Sequence, residues 1–283
     1  MSGAADRTLV VNADDVGLHA GITDGAIAAH DAGVVGSCSV VATGPGFADA
    51  AARLRARPAL DVGVHLALTG GVPLSPAAEV TSLVDGGGRL PPDWRVPAWR
   101  AATGRLRPDE VERELRRQVA RVLDAGLAVS HLDGHEHLHA LPGVLEIVVA
   151  VAVELAIPFV RCPRESEPWR GGPARAPALV ALDRLGRRAA QRVRAAGLRH
   201  AGRTLGIARA GRLDLDELLR LIGGVDGICE LVCHPGLGQA GLEAALGVGY
   251  RWEAETRALG DPSVRATLAA RGVRLATFRE LAS

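Results

Sequence analysis

The sequence predicts an α/β protein built on a parallel sheet of about seven strands. Three observations carry that expectation. Short apolar runs of strand length alternate with longer segments of helical spacing along most of the chain. Those runs repeatedly end in polar residues: Asp14-Asp15, His65, Asp133 with His135, Arg161 and His234. Ligands bind at the carboxyl ends of parallel strands, so such endings on one face describe a site. No internal repeat, domain linker or glycine-rich phosphate loop divides the chain, so residues 1–283 read as one domain.

Composition narrows the classes. Some 48% of the residues are apolar, which allows a sizeable core. Lys+Arg 33 against Asp+Glu 32 leaves a formal charge of +1, so no global field argues for nucleic acid. Cys38, Cys162, Cys229 and Cys233 are too scattered for a disulfide framework. Cys229 and Cys233 stand beside His234 but lack the second pair of a zinc site, so buried thiols are expected. Residues 1–7 carry no apolar signal core. The longest apolar run, 144–157, is interrupted by Glu146 and Glu154 and is too short for a bilayer. A cytoplasmic protein without a membrane segment is the expectation.

Taken in order, Thr8-Leu9-Val10-Val11-Asn12-Ala13-Asp14-Asp15 is a buried-strand run ending in two adjacent carboxylates. A helix N-cap would use one of them; the pair points to chemistry. Helical spacing over 22–32 stops at Gly33. A second strand covers 34–42, a helix follows to 57, and a third strand over 59–68 encloses His65. Alone, that histidine reads as a hydrogen-bonded core residue. Beside the other polar strand ends it becomes a ligand candidate. Residues 69–107 are rich in Pro and Gly and exceed an ordinary connection, so they read as a lid or an irregular insertion. Trp94 and Trp99 within it either stack on a sugar face or pin the loop to the body. Residues 108–125 form an amphipathic helix, with Asp109, Glu110, Glu112 and Glu114 early and arginines later, matching the helix dipole.

His131-Leu132-Asp133-Gly134-His135-Glu136-His137-Leu138-His139 then holds four of the nine histidines. A strand precedes it, and a helical run over 142–156 opens at Pro142. A period of two would set His135, His137 and His139 on one face as the strand ends. The same letters satisfy H-E-x-x-H, the zinc-protease pattern, through His135-Glu136-x-x-His139. That chemistry requires a helix, which Gly134 and Pro142 confine to very few turns, and it leaves Asp14, Asp15 and His65 idle. Arg161 ends the short strand 158–162, as a carboxylate partner or a surface charge. A helix over 178–196 carries Arg184, Arg187, Arg188, Arg192 and Arg194, read as a solvated face rather than a membrane patch. A short strand near 205–207, a helix over 213–222, a strand over 228–236 containing His234, a helix over 263–271 and a strand over 273–278 complete the pattern.

Four segments carry a resemblance: Asn12-Ala13-Asp14-Asp15-Val16-Gly17-Leu18, Gly63-Val64-His65-Leu66, the histidine stretch above, and Cys233-His234-Pro235-Gly236. In order and spacing they resemble the YdjC/ChbG family of carbohydrate deacetylases over nearly the whole chain. Ala195-Ala196-Gly197-Leu198 and Gly211-Arg212-Leu213 resemble the hopanoid-associated, HpnK-like branch more than the chitooligosaccharide branch. The resemblance implies an irregular (β/α) barrel, usually of seven strands, related to polysaccharide deacetylases. It implies metal-dependent removal of acetyl from an N-acetylated amino sugar, in an N-acetylglucosaminyl oligosaccharide or a glycolipid such as a hopanoid conjugate. By position, Asp15, His65 and His135 would hold one divalent metal ion, Mg²⁺ or Zn²⁺. Asp14 would be the general base, His234 the general acid, and Arg161 would orient Asp14. His137 and His139 would orient ligands or contact sugar hydroxyls, and Trp94, from the reading of its own loop, is the candidate to stack on the sugar. Val16 departs from the Phe often found in the family, a change at the pocket floor. Members often dimerise, so a homodimer is among the assemblies implied.

These residue types suit that reaction. Amide hydrolysis needs a nucleophile at neutral pH, stabilisation of charge on the carbonyl oxygen, and a proton for the leaving amine. A divalent ion with three protein ligands and open positions supplies the first two. Asp14 can take the water's proton, with Arg161 favouring its charged form, and His234 can protonate the amine. One carboxylate and two imidazoles suit zinc by softness, whereas the family is generally described with magnesium. A non-catalytic sugar- or lipid-binding barrel, or a hydrolase of a different acyl bond, competes on the same fold.

Overall fold

The computed structural model describes residues 7–282. The segment without a signal core falls, apart from Arg7, outside the described residues. The chain runs β1 (Thr8–Val16), α1 (Ala20–Ala32), β2 (Ser37–Val40), α2 (Phe47–Arg55), β3 (Asp61–Leu66), α3 (Arg95–Ala102) and α4 (Pro108–Asp124). It continues through β4 (Val129–Gly134), α5 (Val144–Glu154), β5 (Phe159–Val160), α6 (Ala176–Ala195), β6 (Arg203–Leu205), α7 (Leu215–Gly223) and β7 (Ile228–Cys233). Then come α8 (Gln239–Leu246), α9 (Trp252–Leu259), α10 (Pro262–Ala270), β8 (Arg274–Leu275) and α11 (Phe278–Ala282).

The strands pair in parallel in the order β5-β4-β3-β2-β1-β7-β6, with β8 beside β1. The sheet curls until its edges meet. A bridge joins Phe159 of β5 to Arg199, just before β6, and Thr204 Oγ1 donates to the Cys162 carbonyl at 2.9 Å. The irregular barrel is the architecture expected, and it collects the carboxyl ends of the strands on one side. Strands β1, β2 and β3 are buried throughout, so Ser37, Ser39 and His65 lie inside the sheet beside its apolar residues. One large apolar cluster links Leu9 and Val11 of β1 with Val64, Leu132, Val160 and Leu231.

Polar side chains on α4 tie down the long connection before it. Gln118 bonds the backbone of Ala67 in both directions at 2.8 Å. Glu114 accepts from Leu74 and Ser75, and Glu110 from Thr81 and Ser82. Residues 69–107 also contain a 3₁₀ turn, Ala77–Glu79, besides α3. The four cysteines are free and buried, and the five arginines of α6 are exposed. Among the described residues no helix is long and apolar enough to cross a membrane.

Several elements differ from expectation. β2 and β8 are shorter than their apolar runs, and Phe278 opens α11 rather than ending a strand. Helices α8 and α9 occupy a region in which the sequence announced none. β4 stops at Gly134, and His135–Ala140 is a 3₁₀ segment with Glu136 at φ 52 and His137 at φ 58. Left-handed residues break both the period of two and any α-helix. His135, His137 and His139 therefore do not share a strand face, and the helix that His135-Glu136-x-x-His139 needs for protease chemistry is not formed.

Candidate active site

Adjacent residues of a strand point to opposite faces, yet Asp14 and Asp15 both reach His65. The backbone explains it. The register between β1 and β2 shifts between Ala13 and Val16, and Asp15 sits at φ 68. A left-handed non-glycine residue costs on the order of 1–3 kcal/mol and marks a functional position when the surroundings enforce it. The outcome is His65 Nε2 at 3.3 Å from Asp15 Oδ1 and 3.9 Å from Asp14 Oδ2.

His135 joins from the first residue after β4, its Nδ1 2.8 Å from Asp15 Oδ1. Donor atoms of Asp15, His65 and His135 lie within 4.8 Å of one another. Asp133 Oδ1 holds His65 Nδ1 at 2.8 Å, which directs the Nε2 lone pair of the neutral ring toward Asp15, the arrangement that a metal-binding imidazole requires. Asp14, His65 and Asp133 also cluster within that distance, but a cation already fills that space. Arg161 Nη1 is 2.7 Å from Asp14 Oδ2 and Nη2 is 2.7 Å from Asp133 Oδ2. The Asp15-His65-His135 set therefore fits a divalent ion, and one oxygen with two nitrogens matches a borderline-soft one.

Arg161 is fully buried and gathers three carboxylates. It grips Asp14 with both terminal nitrogens at 2.7 Å, meets Asp133, and donates from Nε to Glu230 Oε1 at 2.8 Å. Burial would raise the Asp133 carboxyl, but Arg161 and His65 hold it well below the usual range. Glu230 goes the other way. Burial pushes it up to about 7 despite Arg161, and its Oε2 is enclosed without a partner. Asn12 Nδ2 donates to Asp14 Oδ1 and to Ser39 Oγ, both at 2.8 Å. Asp14 Oδ1 thus receives two donors and Oδ2 one, leaving a lone pair of Oδ2 on the His65 side.

His234 follows β7 directly and is buried, its backbone N–H on Glu255 Oε2 at 2.9 Å. Burial lowers its imidazole, opposed by Asp15 and Asp14. Glu255 also accepts from Leu213 N at 3.1 Å, and burial drives its carboxyl up to about 8.

A family model described as YdjC-like protein matches residues 8–270. The chain belongs to the YdjC-like family. This YdjC-like chain is 42% identical over 157 residues to a carbohydrate deacetylase of Brevibacillus brevis, covering 55% of the chain and 59% of that protein. It is 32% identical to a carbohydrate deacetylase of Geobacillus stearothermophilus over 97% of the chain and 98% of the relative. A chitooligosaccharide deacetylase of Serratia marcescens is also 32% identical, over 98% and 100%. A solved structure from Enterococcus faecalis superposes with a TM-score of 0.79 at 26% identity, over 99% of this chain and 100% of that one. A family 4 carbohydrate esterase from Streptomyces lividans shares the fold, with a TM-score of 0.50 at 10% identity over 97% and 94%.

The YdjC-like structure brings Asp14, Asp15, His65, His135 and Arg161 into direct contact, with His234 on the adjoining strand end. His139 is enclosed with Nε2 on the Arg161 carbonyl at 3.0 Å, and burial lowers it to about 4. His137 is half-buried, 6.3 Å ring to ring from His139, with its Nδ1 enclosed without a partner. Trp94 is 41% exposed, with Arg95 over its ring, and among the described residues no ring contact or hydrogen bond joins it to the cluster. Ser39, Glu230 and Glu255 were not anticipated. Glu230 alone carried a signal, a carboxylate in the middle of an apolar strand.

Proposed function

We propose that this chain is a metal-dependent hydrolase that removes acetyl from an N-acetylated amino sugar. The observation that carries the reading is the pair of neighbouring carboxylates with divided tasks, Asp15 facing two imidazoles and Asp14 gripped by Arg161. A divalent ion held by Asp15, His65 and His135 would acidify water and polarise the acetyl carbonyl. Asp14 Oδ2 is then the base, taking the proton of the attacking water through its free lone pair. Arg161 fixes that carboxylate by a two-pronged grip, so its aim does not wander. His234 delivers a proton to the departing amine nitrogen from the β7 side. His139 acts indirectly, through the Arg161 backbone, and His137 and Trp94 meet the sugar.

The relatives named carbohydrate and chitooligosaccharide deacetylase support an N-acetylglucosaminyl oligosaccharide as substrate. The stretches around Gly197 and Gly211 favour a glycolipid such as a hopanoid conjugate as the second substrate to test.

The deciding experiment is acetate release from chitobiose, longer chitooligosaccharides and an N-acetylglucosaminyl lipid, with chelator and after readdition of Mg²⁺ or Zn²⁺. Release that chelator stops and metal restores is expected. Asp14→Asn should abolish turnover while the protein still binds metal by equilibrium dialysis, whereas Asp15→Ala and His65→Ala should lose the metal. Near-native turnover in Asp14→Asn would remove Asp14 from its role.

A further inference from the structure

The sequence has a single tyrosine, Tyr250, and it lies against His234. The ring centroids are 5.0 Å apart with planes at 74°, an edge-to-face contact. A proton-carrying imidazole is ordinarily oriented by a hydrogen bond to its second nitrogen. Here His234 Nδ1 is enclosed without a partner, and Glu255 bonds the backbone N–H instead. Among the described residues no hydrogen bond reaches the ring, so packing must fix its rotamer.

Tyr250 is itself held firmly. Trp252 packs at 5.7 Å, and Gln239 Nε2 donates to the Tyr250 carbonyl at 2.6 Å. Gly211 makes room for the ring: at φ +70, a Cβ there would lie 2.1 Å from Tyr250 Cγ. Arg251 N bonds the Gly211 carbonyl at 2.8 Å, locking the two segments together. The phenol oxygen makes no hydrogen bond among the described residues, so the ring does the holding.

We propose that Tyr250 is the positioning residue for the His234 imidazole, its ring edge confining the proton donor to the rotamer that faces the leaving amine. The inference rests on His234 being the acid of the proposed deacetylation. A misaimed acid slows expulsion of an amine, which must be protonated, and matters little for a phenolate that leaves unaided.

The test compares Tyr250→Phe, Tyr250→Leu and Tyr250→Met in the metal-loaded enzyme, with His234→Ala as reference. Tyr250→Phe should keep kcat for the amide substrate within about twofold, because the ring remains. Tyr250→Leu and Tyr250→Met should lower kcat by about tenfold or more with KM little changed, a part of the 10²–10⁴ that a general acid contributes. Hydrolysis of 4-nitrophenyl acetate should fall far less in the same variants. Three results would overturn the proposal: unchanged amide kcat in Tyr250→Leu and Tyr250→Met, Tyr250→Phe as impaired as Tyr250→Leu, or equal loss on both substrates. If His234→Ala itself left amide turnover intact, the acid assignment would fail instead, and the two failures are thereby told apart.

Discussion

Three polar groups meet the hydroxyl of Ser39 in the barrel interior. Asn12 Nδ2 donates at 2.8 Å, Asp133 Oδ2 accepts at 2.7 Å, and His131 Nε2 lies at 3.1 Å. A hydroxyl has one proton and two lone pairs, so His131 must present Nε2–H and the capacity of Ser39 is used in full. Ser39→Ala would leave three buried groups short of a partner. A loss of about 1–3 kcal/mol is expected from urea unfolding, the usual penalty for an orphaned buried polar group. Because Asp133 also fixes His65, metal affinity should weaken by about tenfold, the lower end for partners of metal-binding histidines. Competition with a chromophoric chelator measures it; unchanged affinity would mean that Arg161 alone suffices to hold Asp133. The contrast with Asp14 shows what a sequence reveals at this scale. Asp14, His65, Arg161 and His234 stand out because a charged or ring-nitrogen side chain ends an apolar run. Ser39 looks like any strand serine, and Glu255 like any helix carboxylate, because their partners are 94 and 21 residues away.

Helix α1 crosses the loop after β7 so closely that Gly25 has no room for a side chain. A Cβ there would lie 2.2 Å from Gly236 Cα and 2.7 Å from the Pro235 carbonyl carbon. Those are backbone atoms, so no flexible side chain can yield. Alanine ordinarily stabilises a helix by roughly 1 kcal/mol over glycine, but Gly25→Ala should lower Tm and reduce kcat, since the displaced loop carries His234. Gly241, in α8, is the control. A Cβ there meets nothing within 4 Å, and Gly241→Ala should leave Tm equal or higher. If both variants behaved alike in calorimetry, close packing of α1 on the loop would not be what Gly25 serves. The legibility of elements follows the same division between local and distant causes. Strands β1, β3 and β7 are readable because burial leaves mostly apolar runs, broken by the few polar residues that serve the site. α9 was not, since its buried positions include Glu255 beside Trp252 and Leu259, and a carboxylate there hides the apolar stripe. The turn after β4 was not, because its left-handed residues are Glu136 and His137 rather than glycines, and only the surrounding fold imposes that backbone.

For the molecule as a whole, the dependence of stability on pH is set by two opposed groups of buried side chains. Burial lowers His131, His137, His139 and His234. In the fold each holds its proton less tightly than in the unfolded chain, so their contribution to stability rises with pH up to the ordinary histidine value of about 6.5. Burial raises Glu230 to about 7 and Glu255 to about 8. The fold keeps protons that the unfolded chain releases above about pH 4.5, so these two lower stability as pH climbs toward their folded values. Below about pH 6.5 the four histidines oppose the two carboxylates, and a net rise with pH is the expected outcome. Above it the histidine gain is complete and the carboxylates decide the slope. His65 adds to the decline: burial opposes its charge, but Asp133 and Asp14 outweigh burial and raise it. The metal-free protein should therefore melt highest near about pH 6.5, with Tm falling on both sides. A Tm series in chelator reads this directly, and a flat profile from there to pH ~8 would show that neither the two carboxylates nor His65 holds an extra proton in the fold. Saturating divalent metal should move the maximum to higher pH, because imidazole ligands must first lose their protons. At a hundredfold excess over Kd the ion would add about 2.7 kcal/mol, and that increment should vanish in His65→Ala while persisting in Asp14→Asn.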